Sequence, residues 1–581
     1  MSIPIRQYWD LLVNYLRPQW PRALLLAGLL FGSIGLQLVN PQVLRYFIDT
    51  ATVGGASQAL AQAALLFIAV ALANQALSVT ATYVSENVAW SATNALREDL
   101  AMHCLRLDMP FHKAHTPGEM IERIDGDVTA LANFFSQFVI YVFGNAVLLV
   151  GVLVVLWGID WRAGLVMSAF AVVGMGGMLR ARNVAVPFWE QSRQAAADLS
   201  GYLVERLAGT EDIRSSGAVA YVLRGFFGHL RRLYDTTRKA TLVGTVMSVI
   251  ILSVMAVGTV AAFVIAALLF RGGLITIGTA YIIFHYSQMM FRPLNLISRQ
   301  MEELQKASAG IERIRRLYSE SCTVEDGPGA ALPTGPLAVE FAGVSFGYDG
   351  DETVLDGISF RLAPGQVLGL LGRTGSGKTT LARLLCRLYD ADSGAILLGG
   401  TDIRRPRLAE LRRRVGVVTQ DVQLFQATVR DNLTFFDPTA SDKTIVAVLE
   451  ELGLGDWYRA LPNGLDSEMA ADATGLSAGE AQLLAFARVF LQDPGLVILD
   501  EASSRLDSAT EQRIEHAVDR LLCNRTGLIV AHRLGTVGRA DEIMILDRGH
   551  VCEYGARERL AGDPNSRFAG LLRTGLEEAL A

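Results

Sequence analysis

Val367–Thr380 reads VLGLLGRTGSGKTT: an apolar run, a glycine-rich loop, then lysine and threonines. Gly372, Arg373, Thr374, Gly375, Ser376, Gly377, Lys378 and Thr379 fit the phosphate-loop spacing G-x-x-x-x-G-K-[ST]. Glycines in such a loop let backbone N–H groups turn inward as a nest for phosphate oxygens. Lys378 is placed to reach the outer phosphates, and the Thr379 hydroxyl to hold Mg²⁺. Thr380 and the LARLLCRL that follows read as a helix, whose positive end faces the same anion. A lone match arises by chance in a chain with 55 glycines. The apolar strand before it and the helix after it supply the context that selects a nucleotide site.

The remainder of the chain sets the surroundings of that loop. Of its 581 residues, 51% are hydrophobic and only 19% charged, too apolar for an ordinary soluble enzyme of this size. A net charge of −6 gives no basic footprint for nucleic acid. Cys104, Cys322, Cys386, Cys523 and Cys552 lack C-x-x-C or zinc spacing and read as reduced thiols. Met1–Pro21 carries Arg6, Asp10 and Arg17 and is not expected to be a cleavable signal.

Six stretches lack Asp, Glu, Lys and Arg: Ala23–Leu44, Thr50–Ser85, Val128–Ile159, Ala163–Leu179, Ala240–Phe270 and Leu274–Phe291. A helix crosses the bilayer with about 20 apolar residues, so about six spans are expected, the fourth and sixth at the short end. The short, nearly neutral loops near Arg45–Thr50, Gly158–Arg162 and Arg271–Gly273 are placed outside. The long, arginine-rich connections Glu86–Asp127 and Arg180–Lys239 are placed inside, together with the N-terminus. Leu96, Leu100 and Cys104 keep helical periodicity there, so the spans are expected to continue as helices beyond the membrane. Met109–Glu119 and Gly209–Gly217 are polar breaks and candidate contacts to a cytosolic domain. Gln37, Asn40, Asn74, Gln75, Gln137, Asn145 and His285 fall inside spans. Each is open to two readings, a substrate path or helix–helix hydrogen bonding. Asn40-Pro41 also fits a kink.

After a Gly/Pro-rich linker, GPGAALPTGP, strands alternate with helices, the sign of an α/β domain. The expected domains are 1–310 in the membrane, 311–336 as linker and 337–581 as nucleotide-binding domain. Tyr348 closes an alternating strand and suits either adenine stacking or the core. Gln420 ends VGVVTQ, placed to meet Mg²⁺ or the attacking water. Asp500 and Glu501 end LVILDE; Asp500 suits Mg²⁺ through water, and Glu501 suits a general base. His532 follows another strand and suits either sensing of the terminal phosphate or a structural role.

Tyr348, GRTGSGKT, Gln420, LSAGE at Leu476–Glu480, ILDE, SRLD ending in Asp507 and His532 resemble the ATP-binding cassette (ABC) ATPases in order and spacing. About six spans ahead of one cassette resemble an ABC exporter half-transporter, with TPGEMIERIDGDV (Thr116–Val128) as the membrane half's most recognisable stretch. The resemblance implies a dimer in which each ATP lies between the phosphate loop of one cassette and the LSGGQ-type signature of the other. Here Ala478 and Glu480 replace glycine and glutamine, while Leu476, Ser477 and Gly479 remain. Met469–Gly475 also departs from the family's exporter pattern. An intact Glu501 and His532 beside an altered signature lead us to expect a heterodimer with a different half-transporter, a homodimer being the alternative. The expected function is ATP-driven export of a lipid, peptide or amphipathic small molecule across the cell membrane. An importer on the same fold, or a soluble ABC ATPase, is the competing reading.

Overall fold

The computed structural model describes residues 15, 17–137, 142–348, 353–419, 422–470, 476–500, 508–531 and 537–574. Gln420, Glu501, Asp507 and His532 lie outside the described residues. The chain divides into two compact units, Met1–Leu105 with Pro117–Glu320, and Arg106–Thr116 with Ser321–Ala581. The second unit thus takes in a short segment from the first half of the sequence.

The first unit is helical because a bilayer leaves no water to satisfy the backbone. Among the described residues, five segments are long and apolar enough to span: Arg17–Thr52, Ser57–Arg106, Val142–Ile159, Trp161–Ala208 and Val219–Arg271. Ser57–Arg106 has 50 residues, so it runs for about 75 Å, far beyond a hydrocarbon core of about 30 Å. The expected continuation past the membrane is therefore built into single helices. Their outer faces are lipid-like: Leu65, Leu72, Val154, Leu252, Val257 and Leu268 are all exposed.

The sixth expected span is a short helix with a break at its end. Within Leu274–Phe291 the helix is Ile277–Met289, and a second helix, Phe291–Ser319, follows after Met290. Pro293 explains the break, since it has no N–H for the carbonyl four residues back and its ring crowds that carbonyl. Within the third expected span, Val128–Ile159, the described residues include the helices Val128–Gln137 and Asn145–Ile159, and 138–141 lie outside the described residues. Pro41, by contrast, lies inside the continuous helix Trp20–Thr52.

Polar groups inside the spans tie some of the helices together, while Asn40 Oδ1 is buried with no hydrogen-bond partner among the described residues. Ser33 Oγ donates to Asn74 Oδ1 at 2.8 Å, and Gln37 Nε2 donates to Ser33 Oγ at 3.2 Å. The fully buried Tyr286 donates to the Leu38 carbonyl at 2.7 Å and accepts from Gln42 Nε2 at 2.9 Å. Trp161–Ala208 and Val219–Arg271 pack along one another, and Gly258 lets the Phe170 ring close in: a Cβ there would meet it at 2.3 Å. His285 stacks on Tyr281 with centroids 6.0 Å apart. The side chain of Gln137 lies outside the described residues.

Glu122–Asp127 forms a π-helical turn that ends on a buried carboxylate. Asp127 is only 3% exposed and receives Arg313 Nε at 2.8 Å, with a second bond from the same guanidinium. The hydrogen bonds to that carboxylate hold the Arg313 pKa above its ordinary value, against burial, which pulls it down.

The second unit holds two larger sheets among its described residues. Thr353–Leu362, Val339–Gly347, Ser393–Leu398 and Thr401–Asp402 form an antiparallel sheet in that order. The other runs His550–Ala556, Glu542–Asp547, Val367–Gly372, Thr526–Val530, Leu496–Asp500 and Val415–Val418. Its first strand is antiparallel and the rest parallel. Val367–Gly372 is buried throughout, as a parallel strand covered on both faces must be. Its C-terminal end opens on the edge where doubly wound sheets bind ligands.

Removing Arg313 leaves Asp127 buried and unpaired. Arg313→Ala is expected to cost on the order of 2–3 kcal/mol, below the figure for fully buried pairs because the guanidinium is half exposed. The double variant Asp127→Asn/Arg313→Met is expected to melt higher than Arg313→Ala in a thermal-shift assay on the solubilised protein. The reverse order would show that the pair carries no buried-charge penalty.

Candidate functional site

The phosphate loop is closed by its own lysine. Lys378 is 5% exposed, and its Nζ donates to the carbonyls of Gly372 at 2.6 Å and Arg373 at 3.0 Å. The ammonium therefore sits at the mouth of the loop it helps to shape. Gly377 precedes the helix Lys378–Leu385 with φ +104°, and a Cβ there would meet Leu355 at 2.5 Å. Only glycine takes that conformation in that space without strain. Ser376 is buried, and its Oγ has no hydrogen-bond partner. An orphaned buried hydroxyl in a phosphate loop fits a phosphate oxygen.

A cavity of about 660 Å³ runs along the loop, lined by Gly372–Ser376, Leu546–Arg548 and Arg567. Asp500 ends its strand in register with Val530, which is in register with Leu370, just before the loop. The sheet thus brings Asp500 to the edge where Thr379 begins the helix. A hydroxyl and a carboxylate are the hard oxygen donors Mg²⁺ takes.

Tyr348 is fixed by its hydroxyl. It lies 3.0 Å from Thr380 Oγ1 and accepts from Arg383 Nη1 at 3.1 Å. The ring is also met edge-on by Phe346 and Tyr389, each with centroids 5.1 Å away. Of the two readings of Tyr348, the packing is that of a core aromatic, and its hydroxyl ties it to the phosphate-loop helix.

The segment Arg106–Thr116 belongs to this unit. Its helical turn Met109–Ala114 buries Phe111. Asp108 accepts from the backbone N–H and the hydroxyl of Thr323, and Cys322 Sγ donates to the Arg106 carbonyl. Burial alone would raise the Asp108 pKa, but the hydrogen bonds from Thr323 and Val324 outweigh it and hold it below the ordinary carboxylate value. Lys113 Nζ stands 4.3 Å from the centroid of the Tyr348 ring. Sequence reasoning pointed to the segment but not to Lys113 or Arg383, since nothing in a lone lysine marks an aromatic so far along the chain. The second polar break contains the helical turn Thr210–Ser215, which buries none of its residues.

Ser477, Ala478, Gly479 and Glu480 start the helix Ala478–Gln492. Glu480 folds back: its Oε2 accepts from Ser477 N at 2.8 Å and from Ser477 Oγ at 2.9 Å, while Glu480 N donates to Ser477 Oγ at 3.2 Å. This is a reciprocal capping box. Met469 pairs with Ala427 in a short ladder, and 471–475 lie outside the described residues.

Comparison with known proteins agrees with this layout. Residues 24–294 match the family model for the ABC transporter transmembrane region, and residues 355–504 match the one for the ABC transporter. An ATP-dependent lipid A-core flippase of Pseudomonas fluorescens is 31% identical over 98% of this chain and 96% of its own length. The chain belongs to the ABC transporter family. An uncharacterized ABC transporter ATP-binding protein, YfiC of Bacillus subtilis, is 29% identical over 96% of the chain and 92% of its own length. The solved structure of a bacterial Atm1-family ABC exporter with ATP bound superposes with a TM-score of 0.80 at 26% identity, covering 96% of this chain and 98% of that one. This ABC transporter is thus a multi-pass membrane protein with the half-transporter architecture, one transmembrane region and one nucleotide-binding cassette, which implies a dimer.

The geometry ranks two substitutions. Lys378→Ala removes a charged donor at the phosphate mouth, and such bonds are worth about 1.5–3 kcal/mol each. Tyr348→Ala removes one stacking surface, worth about 1–3 kcal/mol per base. Filter binding of ATP is expected to show the larger loss at Lys378; a larger loss at Tyr348 would contradict the phosphate-loop assignment.

Proposed function

We propose that this chain is the hydrolysing half of a heterodimeric ABC exporter for a lipid, peptide or amphipathic small molecule. Its own Lys378, Glu501 and His532 form one ATP site with an intact signature from the partner. Glu501 is the general base for water, His532 meets the terminal phosphate, and Tyr348 stacks on adenine. Thr379, Gln420 and Asp500 hold Mg²⁺, which supplies charge neutralisation on the phosphates. Clamping of the cassettes by ATP favours one conformation of the spans over the other, and hydrolysis resets it.

The observation that carries the heterodimer is the fold-back of Glu480. The donors at the start of the signature helix, Ser477 N–H and Oγ–H, both point at one carboxylate oxygen. A helix start normally offers such donors to an incoming phosphate. Here an anion of the same chain already holds them. Like charges about 4 Å apart near a protein surface repel by about 4 kcal/mol, enough to oppose closure on a triphosphate. Ala478 adds a methyl where backbone approaches phosphate. In a homodimer both sites would carry this defect; in a heterodimer it is confined to one, which mainly holds ATP. Support for the substrate class comes from the apolar spans, with few fixed charges, and from the flippases among the relatives.

Glu501→Gln keeps the shape of the base but takes no proton from water. It is expected to bind ATP with near-native affinity and to accumulate trapped nucleotide in a closed dimer. Unchanged steady-state hydrolysis would remove Glu501 from that role. Purified alone in a membrane, the chain is expected to show little ATPase activity and to recover it with its partner half-transporter. A stable, fully active dimer of identical chains, measured by mass and turnover, would overturn the heterodimer. Transport direction in inverted vesicles separates export from import.

A further inference from the structure

The face of Tyr348 is already in use. Lys113 Nζ lies 4.3 Å from the ring centroid, close enough for the ammonium to stand over the ring rather than beside it. The ring has little freedom to turn away. Its hydroxyl is held by Thr380 and Arg383, and Phe346 and Tyr389 meet it edge-on. The backbone that carries the lysine is also held in place. Lys113 sits on the helical turn Met109–Ala114, anchored by buried Phe111 and by Asp108 on Thr323. Its own side chain is exposed and long, so the ammonium is the movable partner.

We infer that Lys113 is a base-end residue of the nucleotide site, which contends with adenine for the Tyr348 face. The inference rests on the proposed stacking of adenine on Tyr348. A base and an ammonium draw on the same π surface, and one face admits one of them. Stacking is the stronger of the two contacts at an exposed site, so the base wins. On binding, the ammonium leaves the ring, and the turn that carries it loses one of its holds on the cassette. That turn follows directly on the helix Ser57–Arg106. Base occupancy is therefore reported, through the two linking residues Leu107 and Asp108 and one displaced cation, to the end of a membrane-spanning helix. The phosphates do not take part in this exchange, which makes the base and phosphate contributions separable.

The test is calorimetric binding of ATP and of inorganic tripolyphosphate to the full-length protein in nanodiscs. Lys113→Ala is expected to raise the ratio of ATP to tripolyphosphate affinity by about two- to fivefold, the size of an exposed cation–π contact. Lys113→Arg keeps a cation over the ring and is expected to match the wild type; Lys113→Gln, which keeps length without charge, is expected to follow Lys113→Ala. In a Tyr348→Ala background the Lys113→Ala change is expected to leave the ratio unaltered. An unchanged or lowered ratio in Lys113→Ala, or a change that persists without Tyr348, overturns the inference. Tyr348→Ala measured by itself tests the reading beneath it: an unaltered ATP affinity there removes adenine from that ring, whatever Lys113 does.

Discussion

The buried ammonium of Lys378 is the constraint around which the cassette is arranged. A charge taken out of water is tolerated only with close polar partners. Two carbonyls of its own loop supply them, and they do so only because the chain turns back sharply over Gly375 and Gly377. The strand Val367–Gly372 delivers the loop to the edge of the sheet, and its neighbours bring Asp500 to the same edge. The flat, fully buried strand, the glycine conformations and the lysine are thus one structural solution. A change at any of them disturbs the others.

In the membrane half the bilayer imposes helices, and polar contacts decide how they meet. Apolar side chains pack no better on each other than on lipid tails, so close approach and hydrogen bonds carry the association. Asp49 illustrates this. Its carboxylate accepts from Gly278 N and from Thr276 Oγ1, each at 2.8 Å, and so caps a helix of the last span from the end of the first. A Cβ at Gly278 would meet that carboxylate at 2.6 Å. Negative charge at a helix start is favourable in itself.

The same rule acts in the opposite sense at the signature. Glu480 stabilises the start of its helix by the capping box, and in doing so occupies the donors that make a helix start attractive to phosphate. In the proposed dimer, local helix stability and anion binding in trans compete for the same N–H and O–H groups. Tyr348 shows a parallel competition, with one aromatic face and two candidates for it. Both conflicts lie at positions where two molecules or two segments meet, where local rules and function pull apart.

By itself the sequence determined the two-part architecture, the number of apolar stretches and the identity of the nucleotide site. Charge-free runs of membrane length and a phosphate loop between strand and helix are local patterns, and local patterns survive without knowledge of the fold. It also set Lys378, Thr379 and Asp500 at the ends of strands that share one sheet, and Tyr348 at the end of a strand of the other. Only the tertiary structure decided what depends on contacts far apart in the chain. It ended the sixth span's helix at Met289, ahead of Pro293, showed Gln37 and Asn74 joined through Ser33, and assigned Arg106–Thr116 to the cassette unit. It turned Glu480 onto Ser477 rather than outward, and it set Lys113 over Tyr348. Those outcomes depend on side-chain direction and on which surfaces become neighbours, and spacing along the chain encodes neither.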